Sequence, residues 1–185
     1  MQTAITATSF AILKKFGEIL SYPGEGYVTE VEACRNAAPE IDPEATRYLS
    51  EFRTRIRGLT LEEVQELYVQ TFDLNPVCAL EVGWQLYGDN YDRGNFLVKI
   101  RQELERHGVR ENRELPDHLS NVLPLLAQME LGEAMKFAAA STVPALKKML
   151  VAFEGKQSPY ESVLRALSRV LESALSGSPP EINHD

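Results

Sequence analysis

The chain is short of the residue types that carry most enzyme chemistry. It has two cysteines, Cys34 and Cys78, far apart and outside any CxxC pair. Neither a disulfide framework nor a cysteine zinc site follows from them, and each reads as a small buried apolar residue. The three histidines, His107, His118 and His184, sit in no local nucleophile motif, and the helical metal signature HExxH is absent. There is no P-loop and no GxGxxG, so no motif predicts a bound nucleotide. No run approaches the roughly 18 apolar residues that a membrane span requires. Ala4 to Leu13 is modestly apolar, but no positive charge precedes it and Lys14-Lys15 follow where a cleavage site would fall. No signal peptide is expected, and the expected compartment is a reducing cytoplasm. Positive charge is scarce too: 19 Lys and Arg against 27 Asp and Glu leave a formal charge of -8. A nucleic-acid binder needs a basic face to neutralise phosphates, so that class is set aside. The excess suits a partner that brings positive charge, and it also favours solubility.

What is present is helical periodicity, with almost no alternating strand pattern. At 185 residues, 44% hydrophobic and 25% charged, the chain reads as one soluble domain. Leu13, Phe16 and Leu20 recur at helical spacing up to Tyr22-Pro23-Gly24. Asp42-Pro43 predicts an N-cap and first-turn proline for a helix burying Leu49, Phe52 and Ile56. Thr60-Leu61-Glu62-Glu63 is a capping box, opening a helix with Leu61, Val64, Tyr68 and Phe72 on one face. After a break at Asn75-Pro76, a short aromatic stretch carries Trp84 and Tyr87. A helix from Tyr91 to His107 then directs Leu97, Ile100 and Leu104 inward and ends at the C-cap glycine Gly108. Pro116 is read as opening the next helix, with Pro124 kinking it or shifting its start. Helices over roughly 131–139 and 142–153 follow. The last runs from Ser158-Pro159-Tyr160-Glu161 along a stripe of Val163, Leu164, Leu167, Val170, Leu171 and Leu175. The expectation is an all-α single-domain bundle of about eight helices over 1–176 and a short disordered tail over 177–185.

Glu114-Leu115-Pro116-Asp117-His118-Leu119 places an acid beside an imidazole. A catalytic pair is disfavoured, because adjacent helical residues project about 100° apart. A metal site at Glu114, Asp117 and His118 lacks a second His or Cys cluster. A helix start explains Pro116 and Asp117 but not their company. Tyr68 and Phe72 are read first as core, whereas Trp84 and Tyr87, between helices, suit a groove for an apolar peptide face.

Three motifs carry a resemblance: Tyr68-x-x-x-Phe72-Asp73, then Tyr91-Asp92-Arg93-Gly94, then Glu114 to Leu119. In this order and spacing they resemble the assembly chaperones of molybdenum oxidoreductases, closest to the delta-subunit (NarJ-type) chaperones of respiratory nitrate reductase. The similarity runs from about Phe10 to Leu175, with its specific part in 66–126. The resemblance implies a TorD-like helical bundle with no enzymatic activity, no catalytic residues, no metal and no cofactor of its own. It implies a partner, the apo-form of a molybdenum oxidoreductase catalytic subunit, with nitrate reductase as the expected client. Such a chaperone binds the client's N-terminal, twin-arginine-like segment and assists molybdenum cofactor insertion before membrane attachment or export. It works without inserting in the membrane itself, as a monomer or dimer. Tyr68, Phe72, Asp73, Trp84, Tyr87, Glu114, Pro116, Asp117 and His118 are the expected peptide-binding residues. His118 is further expected to make binding pH-dependent, given an ordinary value of about 6.5. Two other readings stand beside this one: a permanent non-catalytic subunit of the oxidoreductase, or a small hydrolase or metal enzyme using Asp117 and His118.

Overall fold

A computed structural model describes residues 8–176, so the expected tail and His184 lie outside the described residues. Within them the chain is all-α and folds as a single domain, as its periodicity predicts. A helical turn leads into α1 (Leu13–Ile19), followed by α2 (Tyr27–Ala37) and α3 (Pro43–Arg55). Asp42 caps α3 with Oδ1, which accepts from Glu44 N and Ala45 N, and Pro43 takes the first turn. The capping box forms at α4 (Leu61–Tyr68), with Thr60 and Glu63 each accepting from the other's backbone N–H. Val64, Tyr68 and Phe72 are buried and Leu61 half-buried.

α4 does not stop at Tyr68. It widens into a π turn, Val69–Asp73, in which Leu74 N donates to Val69 O. A 3-10 turn, Pro76–Cys78, leads to the short α5 (Val82–Tyr87), and Gly88 closes it at φ +60. The long α6 (Tyr91–Arg106) buries Ile100 and Leu104 and leaves Leu97 half-buried. His107 is its C-cap and Gly108, at φ +65, follows.

The next helix starts later than its sequence suggests. α7 spans Leu119–Gln128 with His118 as N-cap, so Pro116 and Asp117 lie outside it. The physical reason is tertiary: the backbone of 117–119 is bonded to residues 80–82 and so cannot begin a helix at Pro116. Pro124 stays inside α7, facing Gly17 of α1, where a Cβ would fall 2.9 Å from the proline Cδ. The two helices expected over 131–153 join through a second π turn, Ala138–Thr142, between α8 (Leu131–Phe137) and α9 (Val143–Ala152). Val143 N reaches back to Ala138 O, a wider ring than the α-helix makes. The widening carries the backbone past Pro144, which cannot donate and would crowd a regular turn.

α10 (Tyr160–Ser176) packs along α3, α1 along α7, and α2 bridges α1 and α3. Their shared interior contains Phe16, Leu49, Phe52, Phe153 and Tyr160, all fully buried. Tyr160 is its hub: its ring lies 5.1 Å from Phe52, 5.8 Å from Tyr68 and 4.9 Å from Phe72. Through Phe72 that aromatic cluster reaches the surface at the C-terminal end of α4.

Candidate functional site

Two backbone hydrogen bonds build the site. Val82 N donates to Asp117 O at 2.8 Å, and Leu119 N donates to Leu80 O at 3.0 Å. This single antiparallel bridge, Glu81 to His118, ties the start of α5 to the start of α7. Beside it the π turn brings Phe72 and Asp73, and α6 brings Arg93. Together they enclose a cleft of about 230 Å³ whose walls include Phe72, Asp73, Glu81, Trp84, Arg93, Glu114 and His118.

The loop before α7 holds its shape by lacing to itself. Asn121 is buried; its Oδ1 accepts from Asn112 N at 3.0 Å, and its Nδ2 donates to Leu115 O at 3.0 Å. Asn112 Oδ1 in turn accepts from Glu114 N at 2.9 Å. Glu114 is thereby presented at the cleft rather than left on a free loop.

His118 caps α7: its Nδ1 accepts from Ser120 N at 3.1 Å and meets Ser120 Oγ at 2.7 Å. A backbone N–H can only donate, so in the neutral ring the proton sits on Nε2. That nitrogen points toward Tyr68 Oη at 3.5 Å, whose own hydrogen bond goes to Leu20 O at 3.1 Å. Burial pushes His118 down to about 4, which overturns the expected pH switch: the ring is neutral throughout the physiological range.

Asp117 has no exposed surface. Its Oδ2 accepts from Gly83 N at 3.0 Å, adding a second bond to one of α5's free first-turn donors. Arg93 Nε lies 3.5 Å from the same oxygen, and its guanidinium sits 5.4 Å above the Trp84 ring. Burial raises the Asp117 carboxyl, with Arg93 and the Gly83 N–H acting against that rise. Asp117 and His118 are thus committed to different partners, and neither orients the other as a catalytic dyad requires.

The rim is acidic. Burial raises Asp73, Glu81 and Glu114. The neighbouring charges of Asp117 and Glu114 push Glu81 further, and Asp73 does the same to Glu114. A site that strains three carboxylates in this way gains from a cation. Phe72 and Trp84 supply an apolar face beside them.

Five of the nine residues expected from sequence therefore meet at one cleft: Phe72, Asp73, Trp84, Glu114 and His118. Tyr68 lies behind it, buried against Phe72 with ring centroids 5.0 Å apart. Pro116 and Asp117 are buried supports. Tyr87 is outside the cleft: it lines a groove of about 590 Å³ between α6 and α8, where it meets Phe96 at 5.6 Å, and shares a separate groove with Trp84. Glu81 and Arg93 were missed as site residues. Arg93 had a signal, its place in the Tyr91 to Gly94 motif; Glu81 had none, because the bridge that positions it is non-local.

Among the described residues one trio of possible metal ligands comes together, Glu103, His107 and Glu133, with ligand atoms within 4.8 Å of one another. It includes neither Asp117 nor His118, and Arg106 already pairs with both glutamates. No described helix is long and apolar enough to cross a membrane.

The family model for the nitrate reductase delta subunit matches residues 38–164, which include every wall of the cleft. The chain is 26% identical over 161 residues to the nitrate reductase molybdenum cofactor assembly chaperone NarJ of Escherichia coli K12, covering 85% of this chain and 68% of that protein. It is 27% identical over 157 residues to the probable nitrate reductase molybdenum cofactor assembly chaperone NarJ of Bacillus subtilis, covering 84% and 85%. A third relative, the probable chaperone of the same kind named NarW in Escherichia coli K12, is 25% identical over 166 residues, covering 89% and 70%. With a match that spans well over half its length, the chain belongs to the nitrate reductase delta-subunit family.

Proposed function

We propose that this protein is a cytoplasmic assembly chaperone of a nitrate reductase. It binds the N-terminal segment of the catalytic subunit and holds the apo-form open for molybdenum cofactor insertion, ahead of membrane attachment or export. It has no enzymatic role in this reading, and the cofactor belongs to the client. The observation that carries it is the cleft at the α5–α7 bridge, where an aromatic face of Phe72 and Trp84 adjoins the carboxylates of Asp73, Glu81 and Glu114. That pairing suits an amphipathic segment with a basic end: apolar burial supplies affinity at about 25 cal/mol per Å², and the acids select the charge. The relatives' names, which specify nitrate reductase cofactor assembly, agree with it.

The test is calorimetric titration of the full chain with a synthetic N-terminal peptide of a nitrate reductase catalytic subunit. A micromolar Kd, about -8 kcal/mol, is expected. Trp84→Ala and Asp73→Asn are expected to weaken it about tenfold each. Trp84 is the only tryptophan, so its fluorescence reports occupancy directly. Failure of both the peptide and the apo-subunit to bind overturns the proposal.

A further inference from the structure

The cleft already contains a cation. Arg93, in the first turn of α6, extends its guanidinium over the Trp84 ring and stops with Nε 3.5 Å from Asp117 Oδ2. The pairing is incomplete. Asp117 is wholly buried, yet its Oδ1 has no hydrogen-bond partner, and Arg93 Nε, sealed from solvent, has none either. A charge-assisted hydrogen bond closes to about 2.7–2.9 Å, so 3.5 Å is attraction without a fitted fork. The position is also unfavourable for a cation, because the first turn of a helix carries the positive end of its dipole. Native structures leave few buried polar atoms unmatched, and here each partner of one ion pair keeps such an atom at the edge of a cleft.

A guest's guanidinium or ammonium would seek the groups that hold Arg93: the Asp117 carboxylate, the Trp84 face and the nearby charge of Glu81. The Arg93 side chain is 21% exposed and has an exit to solvent. Asp117 is held in place by Gly83 N from α5, where a Cβ would lie 2.6 Å from its Oδ2. The carboxylate stays put while the cation exchanges. We propose that Arg93 is an internal stand-in for a basic side chain of the bound segment, displaced when that segment docks, so that Asp117 and Trp84 form a cation subsite. This rests on the peptide-binding reading above. It gives the site a threshold: apolar segments without a suitably placed charge leave Arg93 in position, whereas a basic residue takes over its contacts.

A double-mutant cycle tests it. The N-terminal peptide of the nitrate reductase catalytic subunit, and an analogue with its Arg and Lys replaced by glutamine, are titrated against the full chain and its Arg93→Gln variant. In the wild-type chain the guest's charge competes with Arg93, and in Arg93→Gln it does not. The charged peptide is therefore expected to bind Arg93→Gln more tightly than wild type, and loss of its charge to cost about tenfold more there. Should Arg93→Gln fail to fold, Asp117→Asn reads the subsite from the other side, and the peptide's charge is expected to lose most of its contribution. Peptide binding that persists with an equal or smaller charge contribution in Arg93→Gln, or an unchanged one in Asp117→Asn, overturns the stand-in and leaves the binding site intact. Absence of binding to the wild-type chain overturns both.

Discussion

Asp73, Glu81 and Glu114 line one cleft, and partial burial, with the neighbouring acids of Glu81 and Glu114, raises their protonation equilibria. The sign of the pH dependence follows. A carboxylate raised above its ordinary value of about 4 loses its charge earlier on acidification. Affinity for a basic segment is therefore greatest near neutrality and falls as pH drops through those raised values. His118, pushed down to about 4, adds no step between about pH 5.5 and 8. Peptide affinity should weaken, and Kd rise, on the acid side alone, and the loss should flatten in an Asp73→Asn, Glu114→Gln double variant. A step near pH 6.5 that disappears in His118→Gln would contradict this assignment. The same groups weigh on stability, since raised folded values mean that charging them opposes folding at neutral pH and the opposition fades as they protonate. Glu114→Gln is expected to stabilise the chain at pH 7 by about 0.5 kcal/mol or less in urea unfolding, with the gain vanishing on acidification. Phe72 and Asp73 were legible as neighbours at one site because the motif that carries the resemblance holds them side by side, and both line the cleft. The state of His118 was not, because burial by Tyr68 and the α5–α7 bridge comes from residues tens of positions away.

Helix starts divide by the range of the interactions that make them. Asp42-Pro43 and Thr60 to Glu63 are complete within four residues, so they can be read from sequence and form as read. Pro116 has equally good local credentials, but Leu80 and Val82 take the backbone groups of Leu119 and Asp117, and His118 becomes the cap instead. The π turns at 69–73 and 138–142 have no comparable local signal; the first sets where Phe72 and Asp73 point. Two glycines test how tightly the elements are joined. At Gly83 a Cβ would sit 2.6 Å from Asp117 Oδ2 and 2.9 Å from Phe96 Cδ1. At Gly17 it would sit 2.9 Å from the rigid ring of Pro124. Each Gly→Ala change is expected to destabilise by about 1–3 kcal/mol in urea unfolding. They should differ in function: Gly83→Ala displaces the carboxylate that seats Arg93 and weakens the peptide, whereas Gly17→Ala alters the α1–α7 contact and leaves Kd unchanged at temperatures where the variant is folded.

At the scale of the whole molecule, the cleft is the surface end of an interior that α10 completes. Tyr160, in the first turn of α10, packs against Phe72 and Tyr68, so the back wall of the site depends on the last of the described helices. Besides apolar burial and the buried contact of Tyr27 Oη with Tyr160 Oη at 3.2 Å, Asp42 holds α10 to the early helices. Its Oδ1 caps α3, and its Oδ2 accepts from Arg169 at 2.8 Å and Ser173 at 3.1 Å on α10. Burial opposes the charge, but Arg169, the two backbone N–H groups and Ser173 outweigh it and hold the carboxyl below its ordinary value. A depressed carboxylate contributes stability above its unfolded value of about 3.9, and that contribution is lost as pH falls through the lower, folded value. Asp42→Ala removes a cap and an interhelix tie together. The expected cost is about 1–2 kcal/mol at pH 7, most of it from the cap, because the Arg169 side chain is 45% exposed and its ion pair is screened. The difference from wild type should narrow as both are taken below about pH 4. In one domain with one continuous core, the loss should appear as a shift of a single cooperative transition rather than as separate melting of α10. Arg169 and Ser173 lie two to four turns along α10 from Tyr160, so Asp42→Ala should bind the peptide with wild-type affinity while folded. Early loss of binding, ahead of global unfolding, would instead show that α10 detaches on its own and that the cleft opens from behind.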